Sequence, residues 1–294
     1  MADFHATPIA GTKSGLGEGT LWDERRNTFI WADVLDGCIK EYQPTTKEIS
    51  VYKLGDFVSY IGKRKSGGYI IALGGDIASI DENFSIIDTH PLGVDRKLGQ
   101  TNDGNIDPAG ILWMGVAQAV QGSKAGDLRR VDGTYQVSIE RKGVEISNGI
   151  DWSLDGTLMY YIDSVPREIS RYQFDPIKGE IIRELSPIDV SDVKGVPDGM
   201  CTDSLGNLWV AFWGAGQVRN YAPDGELLNI VHAPTALTTC ASFGGKDLKT
   251  MFITSAQDHY QREFAFDPDN DRYGGWCFEV ELPIAGKLDN YFAG

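Results

Sequence analysis

The chain has 294 residues, of which 41% are hydrophobic and 23% are charged, a composition typical of folded globular proteins and not of disordered ones. Its formal net charge is −15, which argues against nucleic-acid and anionic membrane partners because both carry negative charge. No segment approaches the ~20 apolar residues of a membrane span and the start lacks a signal-peptide layout, so we expect a soluble, cytoplasmic protein.

One unit recurs along the chain: a polar start, an alternating segment, a turn with Asp or Gly, and an aromatic-rich strand. Four clear copies cover 18–33, 102–115, 148–163 and 198–211, and two weaker copies cover 60–73 and 239–254. Successive copies start about 40 to 50 residues apart, which is the length of a four-stranded antiparallel blade. The sequence therefore predicts an all-β fold, a six-bladed β-propeller in which residues 1–294 form a single domain.

The ring of a propeller must close between its first and last blades. An extra apolar segment at residues 3–10 is expected to supply the outermost strand of the last blade. The alternatives are a pair of β-sandwiches and a parallel β/α array. An array needs a helix of about ten residues or more between strands, and the gaps here are too short and too rich in Gly and Pro.

Polar residues occupy the same phase of the repeat in four copies. The residue before a glycine is Glu18, Asp103, Asn148 or Asp198, and Asn102 precedes Asp103. Because the first strand of each blade lines the central channel, these side chains should meet near one end of the axis. Each Asn-Gly or Asp-Gly pair alone is more typical of a turn. Their shared phase, and the lack of turn preference in Glu18, favour a common site.

Several carboxylates in a narrow channel are costly unless a cation or protons neutralise them. Glu18 and Asp198 supply two negative charges and Asn148 a carbonyl oxygen, which together would balance one divalent cation and leave positions for water and substrate. All-oxygen ligation favours Ca²⁺, Mg²⁺ or Mn²⁺, and Zn²⁺ and Fe²⁺ stay open as alternatives.

At these residues the chain resembles the gluconolactonase, regucalcin (senescence marker protein) and luciferin-regenerating enzyme family. The stretches that carry the resemblance span nearly the whole chain: Gly17-Glu18-Gly19, Asn102-Asp103-Gly104, Ser147-Asn148-Gly149, Pro197-Asp198-Gly199 and Phe243-Gly244-Gly245.

The resemblance implies a six-bladed propeller that binds one divalent metal through Glu18, Asn148 and Asp198 and acts on sugar lactones. It further implies that Asn102 contacts the substrate or metal-bound water, that Asp103 is a supporting carboxylate, and that Asp198 is the general base.

One position departs from the family pattern and bears on the substrate. Gln100 stands two residues before Asn102, where relatives acting on sugar lactones commonly carry an arginine. A neutral amide replaces a charged guanidinium there, so the substrate is expected to differ from the common sugar acid lactones. Residues 117–123 also align poorly with the substrate-contacting loop of relatives.

The leading hypothesis is a hydrolase that opens a small lactone with metal-activated water, with Asp198 accepting the proton. Two alternatives stay open: hydrolysis of another ester, such as a phosphotriester, on the same site, and a non-catalytic propeller that binds Ca²⁺ or a protein partner. The oligomeric state is not predicted.

Aromatic and histidine residues supply further expectations. His232 and His259 could reach the mouth of the channel, but surface or turn positions fit them better. Trp213 is a candidate for facing the substrate. The tryptophans that recur at repeat positions are expected to pack between blades: Trp22, Trp113, Trp152 and Trp209.

Overall fold

A computed structural model describes residues 1–257 and 271–294 of the chain. Within these ranges the regular secondary structure is entirely strand, in six sheets whose strands follow one another from the axis outwards. The predicted six-bladed propeller with four-stranded antiparallel blades is confirmed. None of these residues belongs to a helix long and apolar enough to cross a membrane.

Each blade begins with an inner strand beside the axis and continues with a second strand antiparallel to it. The inner strands are β3 (Gly17–Asp23), β7 (Val58–Lys63), β11 (Gly99–Ile106), β15 (Ser147–Trp152), β19 (Val196–Thr202) and β23 (Thr238–Gly244). The second strands are β4 (Thr28–Asp33), β8 (Tyr69–Leu73), β12 (Leu112–Gln118), β16 (Leu158–Asp163), β20 (Leu208–Trp213) and β24 (Thr250–Ser255).

Two more strands complete each blade towards the outside. The third strands are β5 (Cys38–Gln43), β9 (Asp76–Ile80), β13 (Gly126–Val131), β17 (Glu168–Asp175), β21 (Gln217–Tyr221) and β25 (Cys277–Glu281). The outer strands are β6 (Glu48–Lys53), β10 (Ile86–His90), β14 (Val137–Val144), β18 (Glu180–Asp189), β22 (Leu227–His232) and, from the N-terminus, β2 (Thr7–Ile9).

The inner strands contact one another in a closed ring, in the order β3, β7, β11, β15, β19, β23 and back to β3. We call the end of the channel where these strands begin the upper end and the end where they finish the lower end. All six strands run in the same direction along the axis, so residues near their starts gather at the upper end.

The N-terminal segment closes the ring in a way that differs partly from the prediction. β2 pairs antiparallel with β25 and forms the outermost strand of the last blade, as expected for residues 3–10. The preceding strand β1 (Ala2–His5) instead pairs in parallel with β22 and adds a fifth strand to the fifth blade. The segment therefore covers two exposed edges, and apolar content alone does not reveal which edge a strand covers.

The recurring tryptophans pack between blades, as predicted. Trp113 of the third blade lies 6.5 Å from Trp152 of the fourth, measured between ring centroids, and Trp209 of the fifth lies 5.7 Å from Phe243 of the sixth. Trp22 shares a buried cluster with Phe252 of the last blade. These seams are the hydrophobic core of the molecule.

The C-terminal segment 283–294 crosses the lower end of the channel and touches all six blades. The Lys287 ammonium pairs with Asp151 of the fourth blade at 2.6 Å, and the Asn290 amide donates to the carbonyl of Ile106 in the third. Its contacts with the remaining blades are made through Glu24, Lys65, Ser204 and Leu248.

Candidate functional site

The structure brings the predicted polar residues together at the upper end of the channel. Glu18 lies in β3, Asn102 and Asp103 in β11, Asn148 in β15, and Asp198 in β19. Asn148 and Asp198 are each 5% exposed, and the other three are half-buried. The second and sixth blades contribute uncharged hydroxyl side chains at the corresponding position, from Ser59 and Thr239.

Every inner strand carries one extra residue at the height of this site. The pairing with the second strand shifts between Glu18 and Leu21, between Thr101 and Gly104, and at the same place in the other four blades. Such β-bulges interrupt the alternation of side chains and redirect them, and they are common next to active sites. Here each bulge falls at the site residue of its strand, and in β11 it holds two, Asn102 and Asp103.

The glycines after the site residues lie inside strands, so the alternative interpretation of these pairs as turns is wrong. A Cβ atom on Gly149 would lie 2.8 Å from the carbonyl oxygen of Asp198. One on Gly199 would lie 2.8 Å from the carbonyl oxygen of Thr239. Glycine is required because the backbones of neighbouring inner strands approach too closely for a side chain.

Three carboxyl groups at the site have raised pKa values. Burial, followed by the charges of Asp198 and Asp103, raises the pKa of Glu18 well above its usual value. Burial and the charge of Asp103 do the same for the pKa of Asp198. Burial raises the pKa of Asp103 to about 6, although the Gly104 amide donates to this carboxylate at 2.8 Å.

No lysine or arginine of residues 1–257 and 271–294 pairs with any of these three carboxylates. The site therefore concentrates negative charge without positive charge from the described chain to balance it. Buried carboxylates in this situation either hold protons or bind a cation.

The two asparagine side chains are joined by a hydrogen bond. The Asn102 amide nitrogen donates to the side-chain oxygen of Asn148 at 2.7 Å and to the carbonyl of Ser147 at 2.8 Å. The Asn148 amide nitrogen donates to the hydroxyl of Ser164 at 2.8 Å. The Asn148 oxygen therefore points away from Ser164, towards Asn102.

The structure adds two residues that the sequence did not indicate. Ser164 follows β16, and its hydroxyl donates to the carbonyl of Pro197 at 2.7 Å. The Thr239 hydroxyl lies 2.6 Å from the carbonyl of Gly17 and joins the sixth blade to the first. Isolated hydroxyls carry no motif; the signal for Thr239 was only its phase in one of the two weaker repeat copies, and Ser164 had none.

The donor set fits the predicted divalent cation in its chemistry. Glu18 and Asp198 offer carboxylate oxygens, and Asn148 offers an amide oxygen whose orientation is fixed by hydrogen bonds. Within the described ranges no three His, Cys, Asp or Glu side chains are grouped so as to hold a metal ion. The predicted set contains only two such residues, because its third member is an amide.

Two further sequence expectations concern the rim of the site. Gln100 is exposed and lies in β11, two residues before Asn102. Trp213 ends β20 and packs half-buried against a cluster that contains Leu16 and Leu237. That cluster lies at the upper end, because Leu16 directly precedes β3. Contact of either side chain with a substrate stays a prediction.

The histidines show no catalytic arrangement among the described residues. The His232 ring lies 3.2 Å from Asp3 on the outer edge of the fifth blade and stacks on His5, so its predicted surface position is confirmed. His259 lies outside the described residues.

A small cavity of about 40 Å³ continues along the axis below the site. It is lined by all six inner strands and ends at Asp289 and Asn290 of the C-terminal segment. The hydroxyls of Thr20 and Ser242, which line it, have no hydrogen-bond partner among the described residues. A polar space of the size of a few waters therefore lies below the site.

The fold agrees with the comparison to known proteins. The chain is 32% identical to regucalcin of Gallus gallus over 100% of both chains. It is 30% identical to the 6-deoxy-6-sulfogluconolactonase of Pseudomonas putida over 96% of both. The crystal structure of regucalcin from Agrobacterium tumefaciens, described as a calcium-binding protein, superposes with a TM-score of 0.92 at 26% identity over 100% of both chains.

A family model described as the SMP-30/gluconolactonase/LRE-like region matches residues 16–257, which include every predicted site residue. The chain belongs to the SMP-30/gluconolactonase/LRE-like family.

Proposed function

We propose that the protein is a lactonase that opens a small lactone by hydrolysis, with one divalent cation held by Glu18, Asn148 and Asp198. The observation that carries the proposal is the convergence of three carboxylates with raised pKa values on one oriented amide oxygen, without a basic partner in the described chain. A relative named as a sulfogluconolactonase supports the substrate class.

Bound at these oxygens, a divalent cation would polarise the ester carbonyl and lower the pKa of water. Balancing the negative charge of Asp103 would remove one cause of the raised pKa of Asp198, so a bound cation would favour the ionised form of Asp198. Its carboxylate then accepts the proton of the attacking water. The water oxygen bonds to the carbonyl carbon, the ring C–O bond breaks, and the departing alkoxide takes the proton back from Asp198 to give a hydroxy acid.

Asn102 is suited to holding the substrate or a water. Its amide nitrogen is occupied by Ser147 and Asn148, whereas its amide oxygen accepts no hydrogen bond from the described residues. That oxygen can accept a hydrogen bond from a substrate hydroxyl or from water.

Gln100 favours an uncharged lactone. It lies exposed at the start of β11, on the upper side of the site. Its amide can donate to and accept from hydroxyl groups but cannot form an ion pair with a carboxylate. We therefore infer a neutral, hydroxyl-bearing lactone as the substrate class.

Asp198→Asn tests the proposal. Protein stripped with a chelator is reloaded separately with Ca²⁺, Mg²⁺, Mn²⁺, Zn²⁺ or Fe²⁺ and assayed on sugar lactones, a plain aliphatic lactone and a phosphotriester. We expect lactone turnover that depends on the added ion, and a loss of about 100-fold or more in kcat for Asp198→Asn because the proton acceptor is gone.

The matched control is Asp224→Asn, which removes an exposed turn carboxylate far from the channel and should keep wild-type kcat. Wild-type turnover in Asp198→Asn would remove this residue from the chemistry. Binding of Ca²⁺ without hydrolysis of any substrate would replace the lactonase with a calcium-binding propeller.

A further inference from the structure

A chain of hydrogen bonds behind the site runs in one direction through three blades. The Asn102 amide donates to Asn148, the Asn148 amide donates to Ser164, and the Ser164 hydroxyl donates to the carbonyl of Pro197. The three distances are 2.7, 2.8 and 2.7 Å. Ser164 is 1% exposed and Asn148 is 5% exposed, so water does not compete for these groups.

The last acceptor sets the direction of the chain. A peptide carbonyl can only accept, so the single proton of the Ser164 hydroxyl is committed to Pro197. The hydroxyl oxygen can then only accept from Asn148, and the group of Asn148 that faces it must be the NH₂ group. The amide oxygen of Asn148 is consequently turned towards the channel.

The opposite end of the chain imposes the same orientation. The Asn102 NH₂ group is held by the carbonyl of Ser147, which also can only accept. The Asn102 NH₂ group is therefore a donor to Asn148, and the group of Asn148 that accepts from it must be the amide oxygen. A flipped Asn148 would place two NH₂ groups face to face and leave buried donors unpaired, which is costly.

We propose that Ser164 is a positioning residue, which fixes the side-chain oxygen of Asn148 towards the channel as a cation ligand. The inference rests on the proposed function, since it concerns one of the three proposed ligands. Ser164 also ties this ligand to the fifth blade, because its acceptor Pro197 directly precedes Asp198. Groups that orient a ligand in this way commonly change metal affinity by about 10- to 100-fold when they are removed.

Ser164→Ala is the direct test, with Ser79→Ala as the matched control. Ser79 is also 1% exposed, and its hydroxyl shares a 2.7 Å hydrogen bond with Tyr135 in the outer part of the second and third blades. Both variants lose one buried hydroxyl, but only the first touches the site. Ser164→Cys, which keeps most of the side-chain volume and weakens both hydrogen bonds, is used if Ser164→Ala does not fold.

The readout is the dissociation constant for Ca²⁺ and for Mn²⁺, measured by calorimetry without substrate, alongside the Tm of the metal-free protein. We expect both serine-to-alanine variants to lower Tm similarly, and only Ser164→Ala to weaken cation binding, by about tenfold or more. In an Asn148→Asp background both terminal atoms are oxygens, so removal of Ser164 should change affinity by no more than about twofold.

The outcomes separate the two proposals. A wild-type protein that binds none of Ca²⁺, Mg²⁺, Mn²⁺, Zn²⁺ and Fe²⁺ overturns the proposed function and the inference with it. Unchanged affinity in Ser164→Ala, with normal binding by the wild type, overturns the inference alone. Equal loss of affinity in the wild-type and Asn148→Asp backgrounds also overturns it, because orientation of the amide would then not be the cause.

Discussion

Burial is the first cause of the raised pKa of Glu18, Asp103 and Asp198. The charge of Asp103 raises the pKa of Glu18 and Asp198 further, and the charge of Asp198 adds to that of Glu18. Each charged form is less stable here than in water, so the metal-free site favours protons on these groups. A group with a raised pKa in the folded state stabilises the protein below its unfolded pKa. That stabilisation is lost as the pH rises through the folded value.

This sign leads to a pH-dependent prediction for Asp103→Asn. The Asp103 pKa rises from its ordinary value of about 4 when unfolded to about 6. In the presence of a chelator, the wild type should therefore lose on the order of 3 kcal/mol of unfolding free energy from this group between about pH 4 and about pH 7. The variant carries no charge at position 103 at any pH, so it should lack that loss. It should also remove the repulsion by which Asp103 raises the pKa of Glu18 and Asp198.

Urea unfolding of both proteins at about pH 4.5 and about pH 7.5 measures the difference, and titrations of groups outside the site cancel between the two proteins. If the unfolding free energy of the wild type and of Asp103→Asn changed equally between the two pH values, burial and repulsion at the site would not be the cause of the pH dependence. Saturating Ca²⁺ should restore the stability of the wild type at the higher pH, because the ion favours the charged carboxylates.

For individual residues, the sequence predicted a position in the site only where the residue belongs to the repeat. Glu18, Asp103, Asn148 and Asp198 share a repeat phase, and that phase was enough to predict that they converge. Ser164 has no counterpart in the repeat pattern. Its role depends on the distances to one amide and one carbonyl, which only the folded chain defines.

The bulged inner strand is the element that builds the site. One extra residue in each inner strand rotates the polar residue towards the axis, and the following glycine allows the next blade to approach. The sequence indicated the polar–glycine pairs but not their use, because the same pairs are favoured in turns. Packing of each inner strand against the inner strands of the neighbouring blades decides between a bulge and a turn. These contacts join residues far apart in the sequence.

Gly149→Ala tests the close approach of two inner strands. The new Cβ would lie 2.7 Å from the Met200 Cβ and 2.8 Å from the Asp198 carbonyl oxygen, and backbone at that distance cannot yield easily. We expect a loss of about 3 kcal/mol in unfolding free energy, together with weaker cation binding because Asn148 and Asp198 are pushed apart. Denaturant unfolding and calorimetry give the two numbers.

Gly274→Ala is the matched control, since its nearest contact would be 3.4 Å, in ordinary van der Waals range. It should change the unfolding free energy by less than about 1 kcal/mol. Equal effects of the two substitutions would contradict the view that Gly149 is required for the approach of β15 to β19.

Across the whole molecule, the two chain ends have separate structural roles. The N-terminus adds strands to the fifth and sixth blades and so closes the ring. The C-terminal segment joins all six blades at the lower end, where the Lys287–Asp151 ion pair is largely buried. The number of blades and their boundaries followed from the repeat. The split of the N-terminus over two blades and the course of segment 283–294 did not, because neither belongs to a repeat.

The C-terminal segment covers the lower end of the channel, and the candidate site lies at the upper end. Six separate segments of the chain deliver side chains there, and the negative field comes from the carboxylates of three of them, Glu18, Asp103 and Asp198. We therefore expect this ring of inner strands to hold one divalent cation at Glu18, Asn148 and Asp198.

Anomalous diffraction from crystals soaked in Mn²⁺ would locate this ion. We expect one anomalous peak at the upper end of the channel, bounded by a carboxylate oxygen of Glu18, the amide oxygen of Asn148 and a carboxylate oxygen of Asp198. Intact blades with no peak between these three side chains, or with the ion bound elsewhere, would contradict it.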